Sequence, residues 1–453
     1  MRGRRKTLLL VLLFGLLACA AFAGSASAAT GCDLYASPSG SDAWGAGTLS
    51  SPLGSVAGLD WALKPGQTGC LLAGVYGSIS TVHNLGNNGS AAGQITITPA
   101  PGQSAKIVGL LELEGSYTTL SGLTIDGSNN LYSVQRSGTN CPYPVSNGLE
   151  IDGHNDIFED NDFFQSVASL RGNGIGLGWN HSADETIIRD NRIHDLGQCM
   201  AYDQMIYLAH GNGVQIYDNW MWNDRHGWGV QVYPAATNAH IHDNVIDGAG
   251  SGFVLGGSSQ VSGNTIDHNV VLNSTGLPDA GLAQGVGIST CCGLGPGNSF
   301  TNNIVANNPG GIAAASGITL SGNTTQAPAL ADVAAHDYRL ATAAVTGWNL
   351  WDGGLGAYSA TTTGTTTSTT GTSTTSGATT TSGATTTGTA TTAGATTTSA
   401  TTTSPVTAPV KKATPRRKRT SVSHAHRRLV ARTARATHKV ATATRKARAA
   451  HTA

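Results

Sequence analysis

Lysine is almost absent from most of this chain. Between the amino-terminal stretch and residue 410, only Lys64 and Lys106 occur, which argues against a lysine acting as catalytic base. Cysteine is sparse, seven in 453 residues, and no spacing among the seven suggests a zinc site. After the amino terminus no apolar stretch is long enough to span a membrane. The middle also lacks a leucine-dominated frame, which excludes leucine-rich repeats, and its apolar residues alternate with period two, which excludes helical repeats.

What is present is unevenly distributed. The chain opens MRGRRKTLLLVLLFGLLACAAFAGSASAAT, with Arg2, Arg4, Arg5 and Lys6 as a positive region, Leu8–Leu17 as an apolar core and Ala26-Ser27-Ala28 as a small-residue cleavage site. This is the pattern of a secretory signal over residues 1–28, and it predicts a secreted or cell-surface protein. Cys19, after Leu16-Leu17-Ala18, resembles a bacterial lipoprotein box, and lipid anchoring through it is the weaker reading. Six cysteines then remain, an even number that reads as disulfides in an exported chain. Cys32 pairs naturally with Cys70, because both open short apolar strands, and Cys141 with Cys199; the adjacent Cys291 and Cys292 form either a vicinal disulfide or two free thiols.

The formal net charge of zero conceals a division. All 26 acidic residues lie between Asp33 and Asp352, where only eight basic residues accompany them, and 14 basic residues crowd the end of the chain. Residues 29–358 therefore form an acidic body. Residues 359–409, nearly all Thr, Ser, Gly and Ala, cannot bury enough apolar surface to offset the entropy of ordering, so they read as a disordered linker. Residues 410–453 form a disordered basic tail suited to an anionic cell-wall polymer, a membrane surface or extracellular DNA.

Within the body one pattern returns: a Gly-led strand, a polar turn, a second strand, then an Asn and a further apolar pair. Copies begin at Asn147, Asn173, Met205, Trp228, Ser251, Gly285 and Gly311, and the recurring Asn residues are Asn161, Asn191, Asn219, Asn244, Asn264, Asn303 and Asn323. Repeats of 20 to 30 residues with two-residue alternation predict stacked β-coils. The fold class is all-β, a right-handed parallel β-helix solenoid, with each Asn in a left-handed turn bonding the Asn of the next coil. These repeats, with "DLYASPSGSDAWGAGTLSSP" and "LKPGQTG" at the amino end, resemble the pectate-lyase-like family of secreted polysaccharide-active β-helix proteins over roughly Asp33–Tyr358.

Two outward positions on the first strand of each coil carry the candidate site. One holds Glu150, Gly176, Tyr207, Gln231, Val254, Gly287 and Ala313; the other holds Asp152, Gly178, Ala209, Tyr233, Gly256 and Ser289. A groove floored by Gly176 and Gly178, with Trp179, Tyr207, His210, Trp228, Gln231 and Tyr233 around it and Arg171 at its rim, suits an extended polysaccharide, since aromatic rings stack on the apolar faces of sugars. The resemblance implies either β-elimination or hydrolysis. A lyase would use Arg171, Arg225 or His226 as base, Tyr207 as acid, and calcium held by Glu150, Asp152 and Asp203; a hydrolase would use Asp203 and Asp224 as its carboxylate pair. The alternative is a non-catalytic surface protein that binds glycan or displays a rigid rod. In either case a monomer is expected.

The charge division carries its own prediction. Full-length protein should bind an anionic polymer such as teichoic acid or DNA, with affinity falling steeply as salt rises. A chain ending at residue 409 should lose that binding; full retention in a pull-down would show that the tail is not the anchor.

Overall fold

The computed structural model describes residues 31–131, 147–197, 203–313 and 317–341. The amino-terminal leader with Cys19, the pair Cys141 and Cys199, the Thr-rich run and the basic tail lie outside these residues. Parallel strands wind into three faces. Face A has eleven strands, from Leu34–Ala36 to Ile318–Ser321. Faces B and C form one continuous sheet, because the long strand Ala105–Leu113 pairs at its start with Thr124–Asp126 of face C and at its end with Leu149–Ile151 of face B. A representative coil runs Leu149–Ile151 on face B, Ile157–Glu159 on face A and Asp162–Phe164 on face C, then returns to face B at Ile175–Leu177.

Period-two alternation explains the interior. On face B the inward residues Leu149, Ile175, Ile206, Val230, Phe253 and Ile288 stand in register. Face A contributes Phe158, Ile188, Ile216, Ile241 and Ile266, and face C contributes Phe163, Ile193, Met221, Ile246 and Val271. All sixteen are fully buried. Each such side chain contributes roughly 1.5–3 kcal/mol of transfer free energy, so the stack of coils is itself the hydrophobic core.

The corner between faces A and C is built by asparagine, with two differences from the sequence reading. The left-handed residue is the one before the Asn: Asp160, Asp190, Asp218, Asp243, His268 and Asn302 have φ between 53° and 57°. Short polar side chains tolerate that conformation best. The ladder runs through Asn161, Asn191, Asn219, Asn244, Asn269, Asn303 and Asn323, so Asn269 takes the rung expected of Asn264. Asn264 instead joins Asn298 in a second column at the corner between faces B and A. Asn219 is typical. It donates to Ile188 O, Tyr217 O and Asn244 Oδ1 at 2.9 Å each and accepts from Asn191.

The amino-terminal end of the core is covered by a short helix, Val56–Ala62, capped by Ser55 Oγ accepting from Gly58 N at 2.9 Å. Its Val56 and Leu59 are fully buried. The expected disulfide between Cys32 and Cys70 is present. Cys291 and Cys292 are free and exposed. Near the other end, an antiparallel hairpin (Leu330–Asp332 and Asp337–Leu340) lays Tyr338 on the outside of face C. There Tyr338 is fully buried against Trp220, Val245, Val270 and Leu272 and donates to Asp247 Oδ2 at 2.8 Å.

The ladder's contribution can be measured. Asn219→Ala leaves buried donors and acceptors unmatched on both neighbouring coils, and should lower stability by about 3 kcal/mol in urea unfolding. Gln260→Ala, at an exposed turn, should stay within about 0.5 kcal/mol. Equal midpoints for the two variants would remove the ladder from the account of stability.

Candidate functional site

Pairing across face B defines its outward columns. The first runs Asn84, Glu112, Glu150, Gly176, Tyr207, Gln231, Val254 and Ser289. Ser289, not Gly287, occupies the rung after Val254, and Ala313 lies in no strand. In the second column Gly256 is followed by Cys291 rather than Ser289. Both differ from the sequence reading by two residues because the strand Ile288–Leu294 pairs from Ile288 opposite Phe253; its one irregularity, between Gly256 and Ser258, comes after both pairs.

The centre of the site is a break in the first column. Glu150 and Tyr207 are separated by Gly176, so they stand two coils apart, about 9.6 Å along the stack. A Cβ built on Gly176 would meet nothing closer than Asn147 Nδ2 at 3.5 Å. Gly176 is buried, and a first side-chain carbon there would make ordinary contacts with its neighbours, so it forms the floor of a notch with a carboxyl on one side and a phenol on the other. Gly178, the second floor residue, has a different reason for being glycine: its φ is 72°, and a Cβ would lie 2.0 Å from His210 O. Trp179 follows it, 47 % exposed, with its ring tilted against that of Tyr207 at 5.6 Å between centroids.

A row of amides holds the other edge. Asn147 Nδ2 donates to Glu150 Oε1 at 2.8 Å, and Asn173 Nδ2 donates to Asn147 Oδ1 at 2.9 Å. Gln204 N donates to Asn173 Oδ1 at 3.0 Å, and Gln204 Nε2 donates to Gln231 Oε1. This chain fixes the amide orientations across four coils and presents one hydrogen bond to Glu150.

That hydrogen bond does not keep Glu150 ionised. Burial pushes its carboxyl up to about 7, reinforced by the charges of Glu112, Asp152 and Glu114 and opposed by Asn147. Burial also raises Glu112, against a hydrogen bond with Asn84 and with help from the charges of Glu114 and Asp152. Asp152 is nearly buried, and its oxygens accept from Asn180 N at 2.9 Å and Asn180 Nδ2 at 2.7 Å. These donors do not fit a calcium cage. Asp152 is already engaged by Asn180, and among the described residues no three His, Cys, Asp or Glu side chains converge to hold a metal. Hard cations require several ionised or carbonyl oxygens directed at one point.

The other predicted residues divide between groove and interior. Tyr207, Trp179, Gln231, His210 and Tyr233 do line face B; His210 Nδ1 donates to Gly178 O at 3.0 Å. His210 also borders a shallow depression of about 350 Å3 at the corner toward face A, with Asn180, His181, Asp184, Asn212 and Gln260. Trp228 is not on the wall. It is 5 % exposed and packed with Val254 and Leu277, because residues 273–284 fold over it. Asp203 and Asp224 are fully buried, which withholds them from a bound polymer. Burial and the charge of Asp203 hold the Asp224 carboxyl well above the usual range, while the backbone N–H groups of His226 and Gly227 and the charge of Arg171 act the other way. Arg171 is tied down, donating through Nε to Gln165 O at 2.9 Å and lying 3.6 Å from Asp195. Arg225 and His226 stand exposed on the loop before Trp228.

Glu112 and Glu114 were missed, although a signal for them exists. "LELEG" at residues 111–115 repeats "LEIDG" at residues 149–153, and the two segments pair in register. The first copy lies before the clear repeats and was not aligned with them.

Residues 109–282 match the family described as right handed beta helix region. Among solved structures, the chain is similar to the pectate lyase Pel9A (14 % identity over 67 % of this chain and 84 % of that one, TM-score 0.44). It is also similar to a glycoside hydrolase (9 %, 68 % and 98 %, 0.48) and to an alginate lyase from a Paenibacillus species (16 %, 60 % and 96 %, 0.41). No curated protein gives a significant match.

The buried aspartate yields a test with a definite sign. Because its native pKa is raised, Asp224 contributes full stability below the ordinary Asp range, and that contribution is lost as pH rises toward the native value. Urea midpoints of the wild type should therefore fall from about pH 4 to pH 8, and Asp224→Asn should flatten part of that fall and be the more stable protein at about pH 8. A variant with an unchanged slope would show that Asp224 is ionised in the native state.

Proposed function

We propose that this right-handed parallel β-helix protein of the pectate-lyase-like kind is a polysaccharide-active enzyme that hydrolyses a neutral glycan along face B. The observation that carries this reading is the Glu150 carboxyl, pushed up to about 7 and one rung from the buried Gly176, with Tyr207 on the rung beyond and Trp179 against it. A sugar ring seated over Gly176 has an aromatic surface on one side and a proton donor on the other. Glu150 gives its proton to the glycosidic oxygen as the bond to the anomeric carbon breaks, and the leaving sugar departs as an alcohol.

The second carboxylate is Glu112, in register with Glu150 one coil away, about 4.8 Å between backbones. Burial raises both carboxyls and the charge of Glu112 raises Glu150 further, so one serves as acid while the other attacks the anomeric carbon or activates water. Electrostatics favour a neutral substrate. Glu112, Glu114, Glu150 and Asp152 lie on adjacent outward positions, and among the described residues no Lys or Arg stands in either outward column. A uronate polymer would meet like charge there. The neutral glycan replaces the acidic glycan expected from the sequence and remains compatible with a cell-wall glycan.

The lyase reading places the chemistry on Arg225, His226 and calcium. Of its parts Tyr207 and Glu150 flank Gly176, Arg225 and His226 stand on a loop away from it, and Glu150 and Asp152 do not suit the cation. A panel of neutral and uronate polymers, assayed for new reducing ends and for the absorbance of unsaturated products, with calcium or with chelator, separates the readings. Reducing ends without unsaturated product, indifferent to chelator, are the expected result. Cleavage of a neutral glycan should be lost by about a hundredfold or more in Glu150→Gln, and wild-type kcat/KM should decline as pH rises through about 7, where Glu150 gives up its proton. Unsaturated products would establish the lyase reading, and binding without any cleavage would establish the non-catalytic one.

A further inference from the structure

The capping helix at the amino-terminal end leaves one large side chain in water. Trp61, near its last turn, is 63 % exposed, whereas Val56 and Leu59 of the same helix are fully buried. Its position is not arbitrary. The benzene edge of the indole lies over Gly86: a Cβ built there would be 3.4 Å from Cζ2 and 3.7 Å from Cη2. Gly86 follows the strand Gly74–Leu85, whose Leu85 pairs with Leu113. It therefore heads the second outward column of face B, followed by Glu114, Asp152 and Gly178 in successive coils.

The backbone that presents Trp61 is fixed from the same turn. Asn87, next to Gly86, donates through Nδ2 to Asp60 O and Leu63 O at 2.7 Å each, and its N–H donates to Asp60 Oδ2 at 3.0 Å. These bonds bracket Trp61 on both sides. An exposed indole on a backbone so held loses little freedom when a ligand covers it.

We infer that Trp61 is a distal sugar-binding platform, and that the ligand is an extended neutral glycan spanning from Trp61 to Trp179 across the carboxylates. This rests on the proposed reading of face B and deepens it. Trp61 stands abreast of Gly86 and Trp179 directly after Gly178, three coil steps away, or about 14 Å, which accommodates about three pyranose rings. Glu114 and Asp152 lie between the two indoles in the same column, and Glu112 and Glu150 lie beside them in the next. The ring over Trp61 is thus separated from the cleavage point, and its contribution is to binding and to chain-length preference rather than to bond breaking.

The test uses the full chain carrying Glu150→Gln, so that binding is read without turnover. Titration calorimetry is run with neutral β-1,4-linked gluco-, xylo- and manno-oligosaccharides, each from dimer through hexamer. For the series that binds, affinity should climb with length and then level off once both indoles are covered. Adding Trp61→Ala should cost about tenfold at the hexamer and flatten the climb, while Trp44→Ala, at another exposed tryptophan, should leave the series as it was. Trp179→Ala should weaken every length. Binding that ignores length, or a hexamer affinity untouched by Trp61→Ala, would overturn the platform and leave the proposed function standing. Absence of binding to every neutral series would bring down both.

Discussion

Each coil of this solenoid is incomplete without the next. A three-residue strand on one face cannot satisfy its own N–H and C=O groups, nor can the tight corner that follows. Both are satisfied by the equivalent atoms of the adjacent coil. The asparagine column makes this explicit, since from Asn191 to Asn303 each side-chain amide bonds the backbone of the coil before and the amide of the coil after. Buried polar groups are tolerated only when paired, so the ladder fixes register as firmly as the isoleucine, leucine and valine stacks beneath it. Everything on the outer faces inherits that register. Glu150, Gly176 and Tyr207 meet across a slot only because their coils cannot slip relative to one another.

The same rigidity accounts for the electrostatics of face B. Glu112 and Glu150 occupy consecutive rungs at a spacing the backbone dictates, and neither side chain can move away by more than a rotamer allows. Burial and mutual repulsion then keep protons on groups that would otherwise lose them. Asp224, buried beside Asp203, shows the same physics without access to solvent. Among the described residues, burial thus raises carboxyls both on a groove, at Glu112 and Glu150, and in the interior, at Asp156 and Asp224. Exposure, not chemical type, decides which of them can meet a ligand.

Much of the architecture was legible because the repeat is written in two alternations. The period-two apolar pattern marked the inward residues, and the recurrent Asn marked a corner. The reading placed Glu150, Gly176, Tyr207 and Gln231 in one column, as found. It failed where the local pattern was ambiguous. "GNTIDHN" offers two asparagines, and only the pairing partners reveal that Asn269, rather than Asn264, continues the ladder. Trp228 looked like a wall residue because outward residues of a strand are ordinarily in water, and what buries it is a loop some fifty residues further along the chain. Asp203 and Asp224 likewise gave no sign of being enclosed. Alternation specifies direction from a strand, whereas cover depends on long-range folding of connections that carry no repeat.

The hairpin that carries Tyr338 adds something the stacked coils lack. A solenoid whose units contact only their neighbours can fray from its end one coil at a time. Here the phenol of Tyr338 reaches back 91 residues to Asp247, crossing the strands that hold Val270 and Ile304 on its way. Peeling off the terminal coil therefore means lifting the hairpin, and lifting the hairpin uncovers face C several coils inward. The hairpin acts as a rivet through the outer wall, turning what would be a sequence of small detachments into a single, larger one.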